Sequence, residues 1–125
     1  MNSQITNSLF HQIGGMQAVD AAVNIFYSHV MNDERISHFF RWVDMEHQSY
    51  KMKTFLAHAF GAPINFSGKS LKDSHSHLVK AGLNDIHFDA VLENITNTLR
   101  ELGIGEDLIE QVGKVVEGTR KEILG

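Results

Sequence analysis

Apolar residues recur at helical spacing along most of this chain, and almost nothing in the sequence interrupts that spacing. Pro63 is the only proline in 125 residues, so the backbone is free to remain helical nearly everywhere else. No stretch shows the alternation of apolar and polar residues that is typical of a half-buried strand. The sequence therefore predicts an all-α fold, built as two long antiparallel helix pairs with short pieces between them.

The predicted helices begin and end at recognisable residues. A helix at about 15–31 follows the breaker Gly14-Gly15, and a short helical turn is expected in DERISHFF. Asp44 is placed to cap the next helix, which should end near FGAP because glycine and a following proline stop helices. The remaining predicted elements are a loop at 61–69, a helix at about 70–80, a helix that Asn84 or Asp85 caps and Gly103 closes, and a last helix at about 105–124.

The chain contains eight histidines and no cysteine. The lack of cysteine excludes disulfides and thiolate ligands and is consistent with a reducing cytoplasm. A net charge of −4 without a Lys/Arg cluster argues against nucleic acid as a partner. No stretch approaches the ~20 apolar residues of a membrane span, and the first residues do not have the pattern of a signal peptide. We therefore expect a cytoplasmic protein whose metal or cofactor-iron ligand, if any, is a histidine.

His75 and His77 both lie on the helix predicted at about 70–80, and the apolar pattern of that helix distinguishes their orientations. Two residues apart on a helix, they point in nearly opposite directions, so at most one of them is expected to face inward. His75 shares its face with Leu71, Leu78 and Val79, and it is therefore the inward one. The residues alone leave two interpretations open, a ligand or a core histidine hydrogen-bonded to the backbone.

The segment QSYKMKTFLAHAF raises a similar question. Gln48 and Met52 fall within its apolar face, and Lys51 lies at the border of that face, where a lysine stem often covers apolar surface while its charge stays in water. Tyr27, on the preceding long helix, is expected near the core, where Gln48 could be the hydrogen-bond partner that a buried hydroxyl needs. Met52 and Phe40 have an ordinary interpretation as core residues.

Taken in order, these motifs resemble those of group I truncated haemoglobins, the short two-over-two helical globins. The segment LFHQIGGMQAVDAAVNIFYSHVMNDERISHFF is similar to the family's opening, with its double glycine, Phe-Tyr pair and Phe-Phe pair. VDMEHQSYKMKTFLAHAFGAP resembles the distal helix, and FSGKSLKDSHSHL resembles the stretch with the iron-binding histidine. The resemblance covers nearly the whole chain. It implies one truncated globin domain over 1–125, with residues 1–8 expected to be partly flexible.

The resemblance implies non-covalently bound haem b and gives roles to particular residues. His75 would bind the haem iron, Phe40 would pack on the porphyrin face, and Tyr27 would donate a hydrogen bond to a bound gas. Gln48 and Met52 would face that gas. The further implied haem contacts are Phe55 and Phe88 along the ring, and His47 and Lys53 towards the propionates.

Lys51 falls on a position that is histidine or lysine in relatives. The side chain there either coordinates iron as a displaceable sixth ligand or points towards the propionates and solvent, and the resemblance leaves both open. Ligation needs a neutral amine, so iron must compete with the proton of a side chain whose usual pKa is about 10.4.

Three positions depart from the family pattern. Met52 stands where many relatives have glutamine, and Gly61-Ala62 stands where they have a second double glycine. Thr119 stands where some relatives carry a histidine that bonds covalently to a haem vinyl group. A covalent haem link is therefore not expected.

The implied function is reversible binding of O2 and other diatomic gases such as NO and CO by a monomer. An enzymatic alternative is nitric oxide dioxygenation, which converts NO to nitrate. It would need a separate reductase, because the sequence contains no flavin or nicotinamide motif. A third possibility is a haem-based redox or gas sensor in which Lys51 leaves before gas binds.

Overall fold

The computed structural model describes residues 9–64 and 68–125, and within them every regular element is helical. The expected flexibility of residues 1–8 lies outside the described residues, as do residues 65–67 of the predicted loop. The α-helices are α1 (Leu9–Ile13), α2 (Gly15–Met31), α3 (Met45–Ala59), α4 (Gly68–Lys80), α5 (Asp85–Glu101), α6 (Glu106–Glu117) and α7 (Arg120–Leu124), with a 3-10 turn at Ser37–Phe40 between α2 and α3.

The two helices that carry the segment around Gln48 and Tyr27 have the predicted bounds. Helix α2 begins at Gly15, directly after the positive-φ residue Gly14, and ends at Met31. Asp44 caps α3, since its carboxylate accepts hydrogen bonds from the backbone N–H groups of Glu46 and His47 at 3.1 and 3.3 Å. These bonds satisfy donors that have no partner inside the helix.

Helix α5 resolves the choice between Asn84 and Asp85 as its cap. The Asn84 side chain accepts from the Ile86 N–H at 3.0 Å, and the Asn84 N–H donates to Nδ1 of His87 at 3.0 Å. Asp85 is instead the first residue of the helix. Gly103 follows the other end with a φ of +80°, a conformation that residues with a Cβ rarely adopt.

Two predicted boundaries were wrong. Helix α4 begins at Gly68, inside the predicted loop, and the predicted last helix is divided into α6 and α7 at Gly118-Thr119. Glycine weakens a helix interior, and the Thr119 hydroxyl donates to the Val116 carbonyl at 2.7 Å, which stabilises the local turn. Periodicity did not detect this break because the apolar spacing continues across it.

The helices form the two-over-two arrangement. Helix α2 packs against α3 and α5, α5 packs against α6, and α3 packs against α6, while α7 covers α4 and contacts α5. The buried core lies between the long helices and includes Val19, Val23, Phe26, Leu56, Phe60, Ile95, Leu99 and Val112. Over residues 9–64 and 68–125, no helix is long and apolar enough to cross a membrane.

Candidate functional site

A cavity of about 630 Å³ lies between α3, α4 and α5, and its size is within the usual range for ligand and cofactor sites. Its walls are mainly apolar, and they include aromatic side chains from three different parts of the chain. The apolar residues that line it are Ile36, Phe39, Phe40, Val43, Met52, Phe55, Leu71, Leu78, Leu83, Phe88, Val91, Ile95, Val116 and Ile123. The structure therefore brings Phe40, Met52, Phe55 and Phe88 of the predicted site together around one space.

His75 lines this cavity from α4. Its Nδ1 donates to the Leu71 carbonyl at 2.7 Å, which puts the ring proton on Nδ1 and leaves the lone pair of Nε2 available. Burial lowers the pKa of His75, and the positive charges of His77 and Lys51 lower it further. A neutral imidazole with one nitrogen fixed by a backbone carbonyl is the form in which histidine binds a metal ion.

The cavity opens to solvent past several polar side chains. Lys51, His47 and His77 all border it, and all three are exposed. His77 was expected to point away from the interior, and its side chain is indeed exposed, but it still reaches the edge of the cavity.

Tyr27 and Gln48 form a polar pair, but Tyr27 itself is not among the residues that line the cavity. Gln48 lines the cavity, and its Nε2 donates to the Tyr27 hydroxyl at 3.1 Å, so the predicted partnership is confirmed. Tyr27 is only 8% exposed, and its ring makes edge contacts with Phe26 and Phe40. Burial raises the pKa of Tyr27 to about 12, although the bond from Gln48 opposes the shift. The hydroxyl therefore keeps its proton at neutral pH and can act as a hydrogen-bond donor.

Lys53 lies elsewhere. Its Nζ is 3.4 Å from Oδ1 of Asp20 on α2, and it is not among the residues that border the cavity. Two positions along a helix turn a side chain by roughly 200°, so Lys51 and Lys53 point to nearly opposite sides of α3. The expected contact between Lys53 and a cofactor carboxylate is not supported by this placement.

Sequence patterns did not predict one feature of the cavity wall. The guanidinium carbon of Arg120 lies 4.3 Å from the centre of the ring of Phe88, which lines the cavity. The carboxylate partners of Arg120 on α5 are 31 and 35 residues earlier in the chain. Such long-range pairs leave no periodic signal in a single sequence.

Comparison with known proteins identifies the family. A family model described as Bacterial-like globin matches residues 8–124. A group 1 truncated haemoglobin from Synechocystis is 46% identical over 110 residues, which cover 87% of this chain and 89% of the relative. The group 1 truncated haemoglobin of Tetrahymena pyriformis is 40% identical over 118 residues, which cover 94% and 95% of the two chains. The chain belongs to the group 1 truncated haemoglobins.

The likeness extends to three dimensions. The 2/2 haemoglobin from Synechococcus sp. PCC 7002, in the cyanomet state with covalently attached haem, superposes on this truncated haemoglobin with a TM-score of 0.87 and 43% identity. The matched region covers 94% of this chain and 98% of that one. The family binds haem and small gaseous ligands, which is consistent with the predicted fold class and cofactor.

The residues around the cavity fit a haem group. A porphyrin requires a flat apolar space and a neutral imidazole on one side, and here aromatic and aliphatic side chains surround the free nitrogen of His75. The charged propionates require water or cations, and Lys51, His47 and His77 stand at the open edge.

Proposed function

We propose that this chain holds haem in the cavity through His75 and reversibly binds O2 and other diatomic gases. The observation that carries the proposal is the chemistry of His75 and Gln48, which both line the cavity. His75 presents a neutral imidazole with a free nitrogen, and Gln48 is hydrogen-bonded to the buried Tyr27 hydroxyl. Haem supplies the iron to which a gas binds, while the protein supplies one axial nitrogen and the donors that retain the gas.

The role of His75 is tested by replacing it with a ligand from solution. His75→Gly should lose the spectrum of histidine-bound haem, and added imidazole should restore it, because a small imidazole can occupy the space that the side chain leaves. His29→Gly is a suitable control, since His29 pairs with Glu101 at 2.6 Å on an exposed surface and does not border the cavity. Retention of an unchanged spectrum by His75→Gly without imidazole would contradict the assignment.

The Tyr27 hydroxyl acts as the principal donor to the gas in this proposal. A bound O2 carries partial negative charge, and a hydrogen bond from a buried hydroxyl slows its escape. We expect Tyr27→Phe to raise the O2 dissociation rate by about tenfold, the equivalent of one hydrogen bond of ~1.4 kcal/mol. Tyr50→Phe removes a hydroxyl from an exposed tyrosine at the cavity edge and is the matched control. Equal dissociation rates in the two variants would remove Tyr27 from the gas site.

Lys51 has two proposed roles that a spectrum separates. As a displaceable sixth ligand, its amine would occupy the iron in the absence of gas. As a cation at the mouth, it would pair with the propionates and remain protonated. Its position beside the cavity is compatible with both roles. Lys51→Ala should convert a low-spin spectrum to high-spin, most clearly at alkaline pH, if the amine ligates. An unchanged ferric and ferrous spectrum assigns Lys51 to the propionates or solvent.

The haem is proposed to be b-type and non-covalent. Thr119 lines the cavity where some relatives carry a histidine, and its hydroxyl is bonded to the Val116 carbonyl. Extraction with acidified organic solvent should therefore remove all of the haem from the protein. Haem that stays with the chain would contradict this proposal, and His77 and His87, which also border the cavity, would be the residues to replace next.

Nitric oxide dioxygenation remains the enzymatic alternative, because the donors that retain O2 would also hold it for reaction with NO. Mixing the oxygenated protein with NO in the presence of a reductase and counting nitrate formed per haem separates an enzyme from a carrier. Sustained turnover supports the enzyme, whereas a single turnover supports gas binding alone. We also propose a cytoplasmic monomer, on the lack of cysteine in the sequence, and light scattering of the haem-loaded protein tests the monomer.

A further inference from the structure

Arg120 occupies the junction of three helices beside the cavity. It is the first residue of α7, and its guanidinium binds Asp85 at 2.9 Å and Asp89 at 2.5 Å, both on the first turns of α5. It also binds Glu117, the last residue of α6, at 2.6 Å through Nε and at 2.8 Å through Nη2. One side chain therefore joins the beginnings of α5 and α7 to the end of α6.

The same guanidinium stacks on Phe88. Its carbon lies 4.3 Å from the ring centre, and the Arg120 side chain is only 24% exposed, so the contact is partly withdrawn from water. A planar guanidinium can stack on a ring while its edges bind carboxylates, which a lysine cannot do. Phe88 is 7% exposed and is one of the residues that line the cavity.

The neighbours of Arg120 connect it to His75. Thr119 directly precedes Arg120, Ile123 follows it three residues later on α7, and both line the cavity. Helix α7 packs along α4, the helix that carries His75, and residues 71–80 of α4 include no buried side chain. A shift of α7 would therefore move Phe88, Ile123 and the support of His75 together.

We propose that Arg120 is a positioning residue for the proximal wall of the cavity, here defined as His75, Phe88, Thr119 and Ile123. It fixes the Phe88 ring and the α7 helix, and through them the orientation of His75 and the retention of haem. This inference rests on the proposed function, because it requires haem bound through His75.

The chain offers a matched control in Arg100. Its guanidinium binds Glu106 through Nε and Nη2 at 3.0 Å and also contacts Asn97, so it too joins α5 to α6 through a two-pronged carboxylate pair. Arg100 is exposed and lies along a separate groove with Leu92, Ile109 and Gly113, away from the proximal wall. Arg100 variants therefore also lose an arginine that joins α5 to α6, but they leave the proximal wall unchanged.

The experiment measures two properties of the haem-loaded protein. The first is the rate at which haem passes to excess apomyoglobin, and the second is the iron–histidine stretching band of the ferrous protein in resonance Raman spectra. We expect Arg120→Met to release haem about tenfold faster and to shift or broaden the band, while Arg100→Met changes the rate less than about twofold. Arg120→Lys should be intermediate, because it keeps the charge and loses the stacking.

The outcomes are distinct. If Arg120→Met has the wild-type rate and band, or if Arg100→Met alters both equally, the inference is overturned while the proposed function stands. If neither the wild type nor Lys51→Ala, in which no lysine amine can occupy the sixth position, shows an iron–histidine band, the proposed function fails. Should Arg120→Met not fold, Arg120→Lys against Arg100→Lys is judged by the same two measurements.

Discussion

Helices α2 and α4, which carry Tyr27 and His75, differ in how they are held. Helix α2, which carries Tyr27, has six buried residues distributed along its length, whereas α4, which carries His75, has none among residues 71–80. Helix α2 is packed by other helices, but the apolar side chains of α4 face the cavity and the five-residue helix α7. The donor side of the site is therefore part of the protein core, while the metal-binding side depends on what fills the cavity.

This difference predicts that haem stabilises the two helices unequally. In the apoprotein we expect backbone amides of α4 to exchange with solvent about 100-fold faster than those of α2, because local opening of α4 exposes little buried apolar surface. Haem should remove most of the difference, since its binding free energy is gained only when α4 is in place. Hydrogen exchange followed by mass spectrometry, corrected for intrinsic rates, measures this directly. Equal protection of α2 and α4 in the apoprotein would show that the comparison is wrong.

A second prediction concerns the hydrogen-bonded pair of Tyr27 on α2 and Gln48 on α3. The pKa of Tyr27 is raised to about 12 by burial, so the folded state favours the protonated hydroxyl. This contribution to stability is complete below the unfolded pKa of 10 and is lost as the pH rises through about 12. Between about pH 9 and about pH 11 the wild type should lose about 1.4 kcal/mol relative to Tyr27→Phe.

Urea unfolding of both proteins at each pH checks this value, and Tyr50→Phe should not change the pH dependence, because Tyr50 is 69% exposed. The measurement is made on apoprotein and haem-loaded protein in parallel. If the difference in unfolding free energy between the wild type and Tyr27→Phe depends on pH only when haem is bound, the Tyr27–Gln48 pair forms because of haem binding and not because of core packing.

Much of this architecture was accessible from the sequence because it depends on local patterns. The bounds of α2, the cap at Asp44 and the inward orientation of His75 all follow from spacing within one helix, and the structure confirms each. Tyr27 and Gln48 lie 21 residues apart, and their pairing was predicted because both fall on apolar faces and a buried hydroxyl needs a partner.

The features that sequence patterns missed depend on contacts between distant segments. The break at Gly118-Thr119 interrupts neither the apolar spacing nor the charge pattern. It becomes understandable only in the folded structure, where α7 packs against α4. The contact of Arg120 with Phe88 and the pairing of Lys53 with Asp20 likewise require the helices to be assembled first. Roles towards haem came from the family resemblance and not from the spacing of residues.

The smallest predicted effect concerns the end of α3 that carries Gln48. The buried residues of α3 are Leu56, Ala57 and Ala59, all in its C-terminal part, so its first turn relies on the cap at Asp44. Asp44→Ala should lower the free energy of unfolding by about 1 kcal/mol, and Asp44→Asn should restore most of it because asparagine also caps helices. Urea unfolding measures the loss, and exchange rates in the first turn of α3 locate it. If Asp44→Ala unfolds like the wild type, packing against α2 rather than the cap holds Gln48 in place. The hydrogen-bonded pair of Gln48 and Tyr27 is then fixed independently of the first turn of α3.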